Sequence, residues 1–353
     1  MARDLRVVID ATSACDRGCT HCGRNSNMKK VSHVSQPIIE VLMLQLKKLK
    51  HNNIRLSFTG GEPLLNPLLP EIVQHCSMRL KKQLKEIGIV TSGFLQDTGD
   101  ESLRLQQILE EYDPQRLHIS LSFNLFLPHS SQRMRNTLRF LLESGKRIGF
   151  LSINLCSSRE NFWKTYEHLF FEVFNYVEII TATPMREILV QTWNPLFGIE
   201  DFSNKIWSPR TFVRLSEKSY SLPCHMLLYV KQSKPIELVI SPFSITKQGR
   251  AKKLADRPWR GRGCSFLFSF QKKRQEEIHM ATDGSLFPDC GCLCAPPLKI
   301  GDITKDDLNE ILNARRNLST ILLKKTLASR NIFSSHTICE TCQNIMWREK
   351  YAL

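Results

Sequence analysis

Three cysteines stand close together near the start of the chain, in Cys15-Asp16-Arg17-Gly18-Cys19-Thr20-His21-Cys22, with the spacing Cys-x3-Cys-x2-Cys. Where thiols are kept reduced, such a cluster points to metal binding or catalysis rather than to disulfides. The count is as informative as the spacing. Structural zinc and iron–sulfur sites close with a full set of four ligands, whereas three leave one coordination position open for chemistry. His21 keeps a second reading open, a zinc knuckle with the histidine as fourth ligand. Further on, Thr59-Gly60-Gly61-Glu62-Pro63 places two glycines directly after an apolar run. Without Cβ atoms they let the backbone approach a ligand closely, and such an edge can pair with a bound amino acid.

Taken in this order, the Cys15, Cys19, Cys22 triad and Gly60-Gly61-Glu62-Pro63 resemble the radical S-adenosylmethionine family. The resemblance implies a 4Fe–4S cluster on the triad and binding of the methionine amino group of S-adenosylmethionine by Gly60, Gly61, Glu62 and Pro63. It also implies reductive cleavage to a 5′-deoxyadenosyl radical, with the electron coming from a low-potential donor such as flavodoxin or ferredoxin. The cofactor then carries the hard chemistry while the protein orients the substrate and excludes water. Thr91-Ser92-Gly93 is similar to the family's Thr-Asn-Gly near the ribose, with Ser92 where asparagine is usual. Ser120, Ser122 and Asn154 are polar groups at strand ends where family members reach the ribose or carboxylate. Ordinary strand-end hydrogen bonding is their alternative use.

A second cysteine set lies in the tail. Cys264, the run Ala281-Thr282-Asp283-Gly284-Ser285-Leu286-Phe287-Pro288-Asp289-Cys290, and Cys339-Glu340-Thr341-Cys342 resemble the SPASM/Twitch extension of radical enzymes. Lys299-Ile300-Gly301-Asp302-Ile303, leading into a helix with Leu308, Ile311 and Leu312, fits the same pattern. The resemblance implies an auxiliary 4Fe–4S cluster on Cys264, Cys290, Cys339 and Cys342. The six tail cysteines suffice for one cluster and not for two. One extra residue separates Gly284 from Cys290, so Cys292 and Cys294 compete for the middle place. A zinc ribbon is the alternative. Cys224 follows Pro223 in a loop and resembles the hydrogen-atom donor of some family epimerases, a plain loop cysteine being the other reading. Cys76 and Cys156 read as inert buried thiols.

The elements that must carry these groups follow one rhythm. Short apolar runs at Leu5–Asp10, Ile54–Thr59, Glu86–Thr91, Leu117–Ser122, Gly149–Leu155 and Tyr176–Ala182 have the continuity of strands buried on both faces. Between them Pro37–Lys50, Pro67–Leu84, Glu101–Tyr112, Ser130–Ser144 and Asn161–Asn175 space their apolar residues as helices do. Pro37 and Pro67 suit first-turn positions, and Gly145 the end of a helix. Alternation of this kind predicts an α/β fold with a parallel sheet, a partial (β/α)6 TIM-like barrel with catalytic groups at the carboxyl ends of its strands. An open doubly wound sheet shares the pattern. The chain divides into the barrel over residues 1–210, a linker and β-hairpin over 211–257, and a cysteine-rich auxiliary-cluster domain over 258–353. That last part shows little apolar mass, as expected of a module that needs metal to fold.

The chain has 353 residues, of which 42% are hydrophobic and 24% charged, as in a soluble globular protein. No apolar run reaches the ~20 residues of a membrane helix, and the amino-terminal run is too short for a secretory signal. A cytoplasmic location without membrane contact is expected. A formal charge of +15 favours an anionic or peptide substrate. Lys247, Arg250, Lys252, Lys253, Arg257, Arg260 and Arg262 crowd one segment against the single acid Asp256. The expected activity is maturation of a ribosomally made peptide by crosslinking, thioether formation or epimerisation. Oxidation or epimerisation of a sugar, cyclitol or nucleotide-linked small molecule is the alternative. RNA modification, and nucleic-acid binding by a zinc or cluster protein, fit the charge less specifically.

Overall fold

The computed structural model describes residues 4–157 apart from 23, 25, 50, 52 and 147, then 164, 165, 168, 169, 172, 224–228, 236–244, 275–288, 298–328 and 345. Among them the chain order is β1 (Asp4–Thr12), α1 (Gln36–Lys48), β2 (Asn53–Gly60), α2 (Leu69–Leu80), β3 (Leu84–Thr91), α3 (Asp100–Glu111), β4 (Leu117–Phe123), α4 (Ser130–Glu143), β5 (Phe150–Ser157), β6 (Cys224–Leu228), β7 (Ile236–Ser244), β8 (Gln275–Met280), β9 (Ser285–Phe287), β10 (Gly301–Asp302) and α5 (Leu308–Ala328). The chain separates into two compact units. One comprises Met1–Cys15, Ser26–Ile87 and Arg260–Leu353, the other Asp16–Asn25 and Gly88–Trp259.

In the first unit the strand order is β10-β9-β8-β1-β2, followed by the first half of β3. β1 runs parallel to β2, from Asp4 opposite Asn53 to Asp10 opposite Thr59, and parallel to β8 on its other edge, with Val8 opposite His279. Leu5, Val7, Ile9, Leu56, Phe58, Ile278 and Met280 are all fully buried. α1 buries Ile39, Leu42, Met43 and Leu46, three or four apart as one apolar stripe requires. Its Gln45 also holds the start of α5, accepting from Leu308 N at 2.7 Å and donating to Asp306 O at 2.8 Å. α2 starts at Leu69 with Pro70 in its first turn, so Pro70, not Pro67, takes the position that tolerates a missing N–H. It ends at Leu80, and a 3-10 turn over Lys81–Gln83 finishes the run that periodicity alone extends to Leu84.

The second unit follows β3-β4-β5-β7-β6. β4 and β5 pair in parallel, β5 and β7 likewise, and β6 and β7 form the antiparallel hairpin predicted there. Cys224 is the first residue of β6, paired with Ile240, and not a loop residue. Gly145 sits just past α4 with φ of 63°, the left-handed helix end expected of it. The expected strand Tyr176–Ala182 lies outside the described residues, as does most of the helix expected over Asn161–Asn175. The fold is α/β with a mostly parallel sheet.

One expectation changes outright. The tail is not poor in core. Ile278, Met280, Leu286, Ile303, Leu308, Ile311, Leu312 and Leu322 are buried, and β8 supplies a parallel partner to β1. The described part of the tail has an apolar reason to fold before any metal is considered.

Candidate cluster and cofactor site

The cysteine triad, the Gly-Gly-Glu-Pro segment and Thr91-Ser92-Gly93 each lie at or just past the carboxyl end of a strand, where parallel α/β folds place their chemistry, whereas Ser120, Ser122 and Asn154 lie within β4 and β5. Cys15, Cys19 and Cys22 occupy the loop after β1 as half-buried thiols. The turn after β2 lies directly against the backbone entering that loop. Gly61 N donates to Thr12 O at 2.7 Å and Glu62 N to Ala14 O at 2.8 Å, so β2 stays zipped to the chain until the residue before Cys15. The two glycines make this possible. A Cβ on Gly60, whose φ is 113°, would stand 2.4 Å from Thr12 O, and one on Gly61 would stand 2.0 Å from Ala14 O. Asn66 adds a side-chain tie, donating to Ala11 O at 2.9 Å. Glu62 is 1% exposed and caps the short 3-10 turn Pro63–Leu65, accepting from Leu64 N.

The turn after β3 is built differently. Thr91 Oγ1 accepts from Gly93 N at 3.0 Å, and Gly93 takes a φ of 77° where a Cβ would meet Thr137 Oγ1 at 2.5 Å. Ser92 Oγ accepts from Arg17 Nε at 2.8 Å. The Arg17 side chain, in the middle of the cysteine loop, is only 2% exposed.

Ser120 and Asn154 meet each other. Asn154 Nδ2 donates to Ser120 Oγ at 2.7 Å, Ser152 Oγ donates to Ser120 Oγ at 3.0 Å, and His118 Nε2 lies 2.9 Å from Ser152 Oγ. Ser122 is half-buried opposite Asn154. Ser120 and Asn154 thus make the strand-to-strand bonds that the sequence left open as their alternative use. The basic segment between Lys247 and Arg262 and the tail cysteines Cys264, Cys290, Cys292, Cys294, Cys339 and Cys342 lie outside the described residues. Cys76 is buried in α2, and burial pushes its thiol well above the usual range. Burial, and then the charge of Cys19, push the Cys156 thiol up to about 12.

Sequence reasoning missed Arg17, quoted within the cysteine motif and given no role, and the pair Asp10–His279. His279 is fully buried and its Nε2 stands 3.0 Å from Asp10 Oδ2, linking β8 to β1. The sequence signal was slight, an aspartate closing the apolar run Leu5–Asp10 and a histidine between Ile278 and Met280. His21, the fourth ligand of the zinc reading, packs its ring on Phe126 with centroids 5.3 Å apart. Among the described residues no three His, Cys, Asp or Glu side chains gather around a single metal-ion position. Three half-buried thiols on one loop are the donor chemistry a cubane cluster takes, its cysteines binding different iron atoms.

Comparison with known proteins agrees with this layout. Residues 9–164 match the family model of the Radical SAM superfamily, a span that opens inside β1 and runs past β5. Two curated proteins resemble part of the chain. "Probable GTP 3',8-cyclase" of Methanococcus aeolicus is 27% identical over 119 residues, 32% of this chain and 39% of the relative. GTP 3',8-cyclase of Chlorobaculum tepidum is 32% identical over 97 residues, 28% of each chain. The matched segments thus span well under half of either relative. The crystal structure of Streptococcus suis SuiB bound to precursor peptide SuiA superposes with a TM-score of 0.51 at 11% identity, covering 91% of this chain and 67% of that one. At that identity the likeness is one of fold. Among the described residues no helix is long and apolar enough to cross a membrane.

Proposed function

We propose that the chain is a radical S-adenosylmethionine enzyme with its 4Fe–4S cluster on Cys15, Cys19 and Cys22. The observation that carries this is the pair of backbone bonds from Gly61 and Glu62 to Thr12 and Ala14, which hold the Gly-Gly-Glu-Pro turn beside the first cluster ligand. When bound, a reduced cluster and S-adenosylmethionine supply a 5′-deoxyadenosyl radical that takes a hydrogen atom from substrate. The residues of the chain position and shield. With the Gly61 and Glu62 N–H groups committed to Thr12 and Ala14, this turn offers oxygen to a ligand, which suits a donor-only ammonium group. Thr91, Ser92, Ser120, Ser122 and Asn154 stand at or near later strand ends for the ribose and carboxylate, in a partial barrel over residues 1–210. The β8–β9 hairpin leads to Cys290, which with Cys264, Cys339 and Cys342 would hold one auxiliary cluster in the domain from 258 onward. Cys224, opening β6, would be the hydrogen-atom donor.

The substrate we assign first is a ribosomally made peptide, supported by the fold shared with a SuiB structure that holds a precursor peptide. A phosphorylated or nucleotide-linked small molecule is the second reading, favoured by the charge of +15 and by the nucleotide named in both curated relatives. A flavodoxin or ferredoxin would supply the electron, in the cytoplasm. The test is anaerobic reconstitution of wild type and of the triple variant Cys15→Ala, Cys19→Ala, Cys22→Ala, with iron and 5′-deoxyadenosine measured after reduction. Wild type should hold about eight irons, two cubanes. The variant should keep about half and make no 5′-deoxyadenosine. Unchanged 5′-deoxyadenosine in the variant ends the radical reading, and about four irons with stoichiometric zinc in wild type replaces the auxiliary cluster by a zinc ribbon.

A further inference from the structure

Arg17 lies midway between Cys15 and Cys19, where a cation would ordinarily face water. Instead its side chain is 2% exposed. A buried guanidinium is costly unless its donors are met, and here four N–H contacts are made to four different groups. Nε donates to Ser92 Oγ at 2.8 Å and one terminal nitrogen to Asp16 Oδ1 at 2.6 Å. The other donates to Gly93 O at 2.9 Å and to the carboxylate of Glu101. These acceptors are not scattered. Ser92 and Gly93 form the turn after β3, and Glu101 is in the first turn of α3, where the helix end favours a carboxylate. Arg133 of α4 reaches the same Gly93 carbonyl at 3.4 Å. Directly after Arg17, Gly18 takes a φ of 65°, a left-handed conformation that glycine adopts readily. The loop is therefore fixed at one residue and takes a special backbone conformation at the next, between two of its thiols.

We propose that Arg17 is a positioning residue that holds the cysteine loop in its ligand-ready conformation before any cluster binds, by tying it to the Ser92–Gly93 turn and to Glu101. Lysine could keep the charge, but a single ammonium lacks the planar fork that reaches divergent acceptors. The consequence for iron rests on the cluster reading given above. The loop anchoring does not, because it is measured without metal.

The experiment compares wild type with Arg17→Met, Arg17→Lys and Glu101→Gln as metal-free, reduced protein. The rate of alkylation by iodoacetamide is read at each cysteine by peptide mass. The buried Cys76 thiol reports on folding of the other unit, and the urea midpoint of each variant on the unit that holds Arg17. With Cys76 unlabelled, Cys19 and Cys22 should alkylate roughly tenfold faster in Arg17→Met, a loss of about 1.4 kcal/mol of local order, with Arg17→Lys and Glu101→Gln in between. Reconstituted Arg17→Met should also lose its triad iron to a chelator faster than wild type, with partial rescue by lysine. If Arg17→Met labels Cys76, the variant has unfolded and Glu101→Gln, which keeps every donor, decides. Unchanged labelling of Cys19 and Cys22 with Cys76 protected overturns the proposal. If wild type takes up no iron at all, the cluster reading fails while the labelling still decides the role of Arg17.

Discussion

The turns that follow β2 and β3 belong to different units and are held in opposite ways. Gly60-Gly61-Glu62 is fixed by main chain: two N–H···O bonds to Thr12 and Ala14, and an approach so close that a methyl group would overlap a carbonyl oxygen. Ser92-Gly93 is fixed by side chains, through Arg17 with its carboxylate partner Glu101, and through Thr137, whose Oγ1 accepts from Phe94 N. Main-chain anchoring tolerates no added volume and does not respond to charge. Side-chain anchoring tolerates volume poorly too, but fails by degrees as donors or acceptors are removed. The first kind shows in a sequence as glycine; the second leaves no mark of its own.

The difference can be broken at its strong end by Gly61→Ala. The new Cβ would lie 2.0 Å from Ala14 O, backbone on both sides, so the turn must move away from the chain that enters Cys15. We expect a loss of about 3 kcal/mol in urea unfolding, at the upper end of overpacking costs, with cofactor binding lost before the fold is. A stability within experimental error of wild type would mean that the turn is not clamped on residues 12–14. Ser92→Ala probes the other anchor. It removes one of the acceptors of Arg17 and leaves Gly93 O, Asp16 and Glu101, so the loss should be about 1 kcal/mol. A loss as large as that of Gly61→Ala would show the Arg17 network to be all-or-none rather than graded.

The same contrast explains what could be read from the chain. β1 to β5 were legible because each is a short continuous apolar run, and α1 to α4 because their apolar residues recur every third or fourth position. The Gly-Gly-Glu-Pro turn was legible because two glycines at a strand end have few other uses. Arg17 was not, since its burial depends on Ser92, Gly93 and Glu101, which only the fold brings to it. Asp10 and His279 escaped for the same reason, the pairing of β8 with β1 joining the two ends of the chain. Ser120 and Ser122 were visible as polar groups in an apolar run, but the sequence alone does not say whether such groups face a ligand or one another. The structure gives Ser120 its partners in Ser152 and Asn154.

Asp302 provides a side-chain anchor whose charge partner, Lys299, is 40% exposed, and so the smallest effect. Its Oδ1 accepts from Thr304 N at 3.1 Å and Thr304 Oγ1 at 2.7 Å, and Oδ2 faces Lys299 Nζ at 3.1 Å. Burial by itself would raise this carboxyl, but the hydrogen bonds from Thr304 and Lys299 and the lysine charge outweigh it, holding it below its ordinary 3.8. A carboxyl lowered in the folded state adds stability above its unfolded value and loses it as the pH falls through the folded one. Asp302→Asn keeps an oxygen for Thr304 and deletes only the charge. The variant should therefore be weaker by roughly a few tenths of a kcal/mol at neutral pH, because solvent around the exposed Lys299 screens the pair. That gap should close as the pH drops below about 3.8, where the wild-type carboxyl takes up its proton. Urea midpoints of the two proteins at neutral pH and near pH 3 measure it. A gap above 1 kcal/mol, or one that persists in acid, would show that Asp302 acts through its shape and not its charge, and would place this turn beside Gly61 instead of Ser92.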